Sequence, residues 1–108
     1  MAVYVDDSRA HATVGRISAR WSHLTADTEA ELHQFAPRLG LRRAWFQKSN
    51  RPEASHYDVT DSKRALAIGL GAVPETIMAG AERRRRARAA RRGAQLPLMG
   101  PTTREQSL

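Results

Sequence analysis

The chain has no cysteine in its 108 residues, which excludes disulfides and the zinc–thiolate sites that small domains use as staples. No run approaches the ~20 apolar residues that a membrane span needs. The start, "MAVYVDD", reaches an acidic pair before any apolar stretch long enough for a signal peptide. These absences predict a soluble, cytoplasmic protein held together by its core alone. A chain of this length suits one domain of modest stability. Lysine is nearly missing as well, with two lysines against sixteen arginines. GC-rich coding produces that bias without any physical demand, so arginine count alone carries no functional argument.

What the chain does have is an uneven charge. The formal net charge is +7, yet residues 1–80 carry ten Lys+Arg against nine Asp+Glu, and residues 81–108 carry eight against two. The body is close to neutral and the basicity belongs to the end. The expected organisation is a compact α/β domain over 1–80 and an arginine-rich tail over 81–108. Within the tail, "GAERRRRARAARR" is rich in helix formers but offers no apolar face for docking. "GAQLPLMGPTTREQSL" has the Pro, Gly, Ser and Thr content of a disordered end. The tail is thus expected to be helical or disordered.

Along the body, "AVYV" (2–5) is β-branched and aromatic and reads as a buried strand ending at Asp6 and Asp7. Residues 8–20 are polar and mixed, contain Gly15 and read as a loop. "RWSHLTA" alternates as a second strand. Thr28 and Glu31 then form a capping-box pattern. Leu32, Phe35, Ala36 and Leu39 follow at helical spacing, Pro37 disturbs the last turn, and Gly40 is a suitable stop. "AWFQ" (44–47) reads as a third strand, followed by the polar loop "KSNRPEAS". Thr60 or Asp61 caps a second helix running to Leu70, with Ala65, Leu66 and Gly69 inward and Gly71 ending it. "AVPETI" (72–77) is a weak fourth strand whose Pro74 suits an edge. This order predicts a small, mainly parallel sheet of about four strands with two packed helices.

In open α/β sheets ligands bind beyond the carboxyl ends of the strands. Asp6 and Asp7 fall at such an end, Asp27 at the next, and the following loop brings His56, Tyr57 and Asp58. Alternation in an extended stretch places His56 and Asp58 on one face and Tyr57 on the other. With His23 inside the second strand, these residues form a candidate rim site. His23, Asp27, His56 and Asp58 are candidate ligands for a divalent metal. Carboxylates favour Mg²⁺ or Mn²⁺, and imidazoles favour Zn²⁺, Fe²⁺ or Ni²⁺. Taken singly, each residue has a plainer role: Asp27 at a helix start, Asp58 in a turn, His23 bonded within the sheet. His11 and His33 read as solvated or structural, and Trp45 and Phe46 as core.

The stretches "YVDD.R", "WSHLTADTEAELHQFAPRLGLRRAWFQ" and "HYDVTDSKRALAIGLGAV" resemble a family of small proteins of bacteria and their phages, the domain of unknown function DUF4031. The resemblance spans residues 3–73. It implies that His23, Asp27, Glu31, Leu32, His33, His56, Tyr57 and Asp58 are shared family positions, and it brings no established activity. It does not reach the arginine-rich end.

Three functions fit these features. The first is a nucleic-acid-associated accessory protein, binding DNA or RNA phosphates through Arg83, Arg84, Arg85, Arg86, Arg88, Arg91 and Arg92. The second is a metal-dependent phosphodiesterase or nuclease with Asp6, Asp7, His23, Asp27, His56 and Asp58 as catalytic candidates. The third is a protein-interaction module without catalysis.

Overall fold

The computed structural model describes residues 2–95. Its frame is a mixed sheet of five strands: β1 (Val3–Val5), β2 (Ala10–Val14), β3 (Ile17–Ala26), β4 (Tyr57–Thr60) and β5 (Val73–Pro74). Three helices complete it: α1 (Glu29–Phe35), α2 (Asp61–Gly69) and α3 (Ile77–Gln95). The long β3 is the central strand. Its Leu24 pairs with Val5 on one side and Tyr57 on the other, and its Trp21 with Ala10 and Thr60. β1 and β2 therefore lie in line along one edge of β3, with β4 along the other.

The sheet is not mainly parallel. Among the described residues only β1 and β5 run parallel; the β1–β3, β2–β3 and β3–β4 pairs are antiparallel. The expectation fails because residues 8–20 do not form a loop. They hold β2 and the start of β3 as a hairpin whose two-residue turn uses Gly15 at φ 62°, the left-handed backbone such turns demand. β2 is exposed along its whole length, so no apolar alternation marks it. "AWFQ" is not a strand either. Arg43–Trp45 is a 3₁₀ turn closed by Trp45 N–H to Arg42 C=O and Phe46 N–H to Arg43 C=O. Trp45 is 52% exposed beside the Arg42 guanidinium rather than in the core. The chain regains pairing only at Gln47, bridged to His56, and then at "YDVT", which is β4 rather than a loop.

The capping expectations hold. Thr28 and Glu31 form the full capping box of α1. The helix gives way at Ala36–Leu39 to a 3₁₀ turn containing Pro37, and Gly40 follows at φ 75°. Thr60 caps α2, but its inward residue is Ala67, with Ile68 and Leu70 packed against the core. Ala65, Leu66 and Gly69 are exposed. The buried face of α2 is therefore the one carrying Ala67, about 200° round the helix from Ala65.

One face of the sheet is apolar. Val3, Val5, Leu24, Ala26, Tyr57 and Val59 alternate onto it and pack with Leu32, Phe35, Leu39 and Ala67 of the helical layer. Alternation sends Tyr4, Asp6, His23, Thr25, His56 and Asp58 to the opposite face. Side chains of α3 reach this second face. Arg83 donates to Thr25 Oγ1 at 2.9 Å and lies 3.6 Å above the Tyr4 ring. Arg88 and Arg91 pair with Glu53 in the 3₁₀ turn Pro52–Ala54. The first part of the arginine-rich tail is thus helical, and its arginines rather than an apolar stripe hold it to the body. Residues 96–108, expected to be disordered, lie outside the described residues.

Candidate metal centre

β3–β4 pairing places His23 directly opposite Asp58, and His56 projects from the same face two residues earlier. The two imidazoles meet edge to face with centroids 5.0 Å apart. His56 Nε2 lies 3.4 Å from Asp58 Oδ1. One ligand atom from each of His23, His56 and Asp58 falls within 4.8 Å of the others. That spread suits one ion at about 2.0–2.2 Å from each ligand once the side chains draw in slightly.

Both imidazoles are oriented from behind. His23 Nδ1 is 2.7 Å from Asp6 Oδ2, and an ionised carboxylate only accepts, so Nδ1 carries the hydrogen. His56 Nδ1 likewise donates to the Ala54 carbonyl at 3.0 Å. In neutral His23 and His56 the lone pair is therefore on Nε2. A carboxylate or carbonyl behind the ligating ring is the arrangement that fixes tautomer and orientation in metal sites. Asp58 is held too, its Oδ2 accepting from Gln47 Nε2 at 2.7 Å.

Asp6 is buried, and burial pushes its carboxyl pKa up. Hydrogen bonds from the His23 ring, the His23 amide and the Ser8 amide outweigh that and hold it below the ordinary carboxylate value. His23 is moved the other way. Its bond to Asp6 raises its pKa, against desolvation, which lowers it. The His23 side chain remains 46% exposed, so the centre opens to solvent.

The other sequence candidates lie elsewhere. Asp27 accepts from the Ala2 amide and the Tyr4 hydroxyl, both at 2.9 Å, and ties down the N-terminal strand. Asp7 accepts from the Ile77 amide at the start of α3. His33 bonds the Tyr57 hydroxyl at 2.9 Å beneath the sheet, and His11 is exposed on β2. The cluster occupies the face of an antiparallel pair rather than the rim of a parallel sheet. Two supporting groups, the Ala54 carbonyl and Gln47, are invisible to sequence reasoning. A backbone acceptor leaves no mark in the residue pattern, and Gln47 falls in a stretch that reads as a strand of its own.

The tail arginines divide into three groups. Arg83 pairs with Glu75, while Arg88 and Arg91 pair with Glu53. Arg85 and Arg86 pair with Glu82 along the helix and stay exposed. Arg84 and Arg92 make no ion pair among the described residues.

A family model described as a protein of unknown function, DUF4031, matches residues 3–92. The chain belongs to this family. The DUF4031 match runs past residue 73 and takes in Arg83–Arg92, so the arginine-bearing helix is part of the family unit. No curated protein and no solved structure matches the chain. No helix among the described residues is long and apolar enough to cross a membrane.

Proposed function

We propose that this DUF4031 chain holds one divalent transition metal at His23, His56 and Asp58 and uses a metal-bound water to hydrolyse phosphoesters. The observation that carries this reading is the pair of imidazoles with both Nδ1–H groups engaged from behind and both Nε2 atoms left to ligate. Two imidazoles and one carboxylate suit Zn²⁺, Mn²⁺ or Fe²⁺ better than Ca²⁺. Three protein ligands leave positions for water and substrate. A bound metal lowers the pKa of its water towards neutrality. An ion held by His23, His56 and Asp58 would supply such a water for attack on phosphorus; the water's proton would pass to solvent, and the leaving oxygen would take one from solvent as its bond to phosphorus breaks.

Calorimetric titration of metal-free protein with Zn²⁺ and with Mn²⁺ tests the reading. One equivalent is expected to bind, and His23→Ala or His56→Ala is expected to abolish binding while circular dichroism stays unchanged. Hydrolysis of bis(p-nitrophenyl) phosphate should follow metal occupancy. Failure of the wild-type protein to take up either metal would overturn the proposal.

A second reading, association with DNA or RNA, is favoured by one observation: Arg85 and Arg86 expose most of their side chains on α3. Arg83, Arg88 and Arg91 are engaged with body carboxylates, so phosphate contacts fall first to Arg85, Arg86 and Arg92.

A further inference from the structure

We propose that the hairpin arm made of β2 and the first part of β3 joins a second copy of this chain, edge to edge through β2 in antiparallel register. The strand order ends at β2, so its outer edge has no partner strand among the described residues. β4 reaches β3 only from Trp21 onwards, and residues 17–20 therefore pair with β2 alone. Every residue from Ala10 to Ser18 is exposed. The arm closes at Val14 and Ile17, and the closing pair of a two-residue hairpin exchanges both backbone bonds. Alternation gives the same bonding to Ala12 with Ala19 and to Ala10 with Trp21. His11 and Thr13 are left with their N–H and C=O groups turned outward.

Such an edge is ordinarily blunted by charge, proline or a bulge. β2 reads AHATV and has none of these within it. One side of the arm is also apolar throughout, with Ala10, Ala12 and Val14 paired to Trp21, Ala19 and Ile17. Val14 is 49% and Ile17 55% exposed, and the Trp21 indole reaches across to the Ala12 carbonyl at 2.9 Å. A second copy matches this edge along its full length. A two-fold axis at Ala12 sets His11 opposite Thr13 of the second copy and Ala10 opposite its Val14, pairing all five residues of each strand. Any other register leaves part of the strand unpaired. The outward groups of His11 and Thr13 then bond each other, small Ala12 side chains meet at the axis, and no like charges are opposed. The two apolar sides join into one. Five residues a side make a small interface, so association on the order of micromolar or weaker is expected. The axis also leaves both clusters of His23, His56 and Asp58 on one side of the joined sheet, although the pairing does not depend on a metal.

The test is sedimentation equilibrium of the full-length chain up to ~1 mM, the range that reveals weak dimers, with chelator present so that histidine–metal bridges cannot mimic the pairing. A dimer that forms with rising concentration is expected. Thr13→Pro removes one outward N–H and leaves the bonds to β3 in place. It should weaken dimerisation roughly tenfold or more, with circular dichroism unchanged. Ala12→Glu sets two carboxylates against each other at the axis and should do the same, whereas Ala12→Ser should not. Amide exchange followed by NMR reads the register in the wild type. The His11 and Thr13 amides should gain protection on dimerisation, while those of Ala12 and Val14 are protected in the monomer already. Protection gained at Ser18 and Arg20 instead, or a dimer indifferent to both Thr13→Pro and Ala12→Glu, would overturn the inference. So would a chain that stays monomeric at the highest concentration, which would leave this edge to a strand from another protein.

Discussion

Asp6 stands in for a backbone carbonyl towards His23. The His23 amide donates to Asp6 Oδ1 at 3.0 Å, while the His23 ring meets Oδ2 of the same carboxylate at 2.7 Å. One side chain thus serves both the sheet ladder and the imidazole that faces the candidate metal.

Asp6→Asn keeps an acceptor for the amide and removes the charge. The His23 pKa, followed by NMR, is expected to fall, because its bond to Asp6 is the largest cause of its rise. The stability that His23 contributes is full below the ordinary imidazole range and is lost as pH rises through its raised value. The Asp6 contribution is present above the ordinary carboxylate range and is lost as pH falls through its lowered value. Urea unfolding should therefore show the largest gap between wild type and variant in the acidic window between those two titrations. Protons compete with metal at His23, so metal affinity should rise as pH passes its raised pKa. The onset should come at lower pH in Asp6→Asn.

The Glu53 side chain is 4% exposed and its carboxylate is met by Arg88 and Arg91. Replacing both arginines with alanine removes the donors and leaves a buried acid, at an expected cost of about 1–3 kcal/mol. Adding Glu53→Gln should recover part of that loss. Purely additive effects in the resulting mutant cycle, measured by denaturant unfolding, would show that α3 is not anchored there. The stretch 1–80 remains a candidate for independent folding. A chain ending at Gly80 is expected to unfold cooperatively, since its Glu53 and Glu75 regain water in place of arginine.

Tyr57 is 1% exposed, on the opposite face of β4 from His56 and Asp58. Tyr57→Ala should cost ~3–5 kcal/mol as a large-to-small core change, and Tyr57→Phe about 1 kcal/mol for its bond to His33. Asp58→Asn, on the open face, should cost less than ~1 kcal/mol and impair metal binding. Thermal and urea unfolding of the three variants check this ordering. A reversed order would place the faces of β4 the other way round.

If α3 contacts nucleic acid, affinity should fall steeply with salt as condensed counterions are released. Arg85→Ala with Arg86→Ala should flatten the salt slope by about one unit for each phosphate no longer neutralised. The same change should leave the melting temperature nearly unaltered, because both arginines are exposed and pair only with Glu82. A salt-independent affinity would exclude this mode of binding.

The parts of the fold legible in the sequence are those written by local chemistry. Thr28 with Glu31, Gly40 and Thr60 mark helix ends through bonds to their own backbone neighbourhood. Alternation in "HYDV" separates Tyr57 from His56 and Asp58 correctly even though the segment reads as a loop. β2 escapes because "AHATV" is solvated throughout and its pairing comes only from β3. The strand reading of "AWFQ" fails because Trp45 and Phe46 have strand propensity without a partner strand to satisfy it. Of the metal candidates, His23, His56 and Asp58 come together and Asp27 does not. Its distance from them depends on the antiparallel course of β3, which the parallel expectation hid.

Between Val5 and Ala10 four residues face only two on β3, since Val5 lies opposite Leu24 and Ala10 opposite Trp21. Asp6 N–H still bonds the His23 carbonyl, but the Asp6 carbonyl turns away to Arg64 Nε at 2.8 Å. That departure is what leaves the His23 amide for the Asp6 carboxylate. Arg9 closes the irregular stretch at φ 45°, held by Asp61. Removing two residues from 7–9 would restore an unbroken ladder and return the His23 amide to the Asp6 carbonyl. The repaired sheet would be more regular, and the imidazole would lose the carboxylate that sets its proton. Length in this connection is therefore under a constraint that composition is not: it tolerates exchange of its exposed residues far better than a shortened chain.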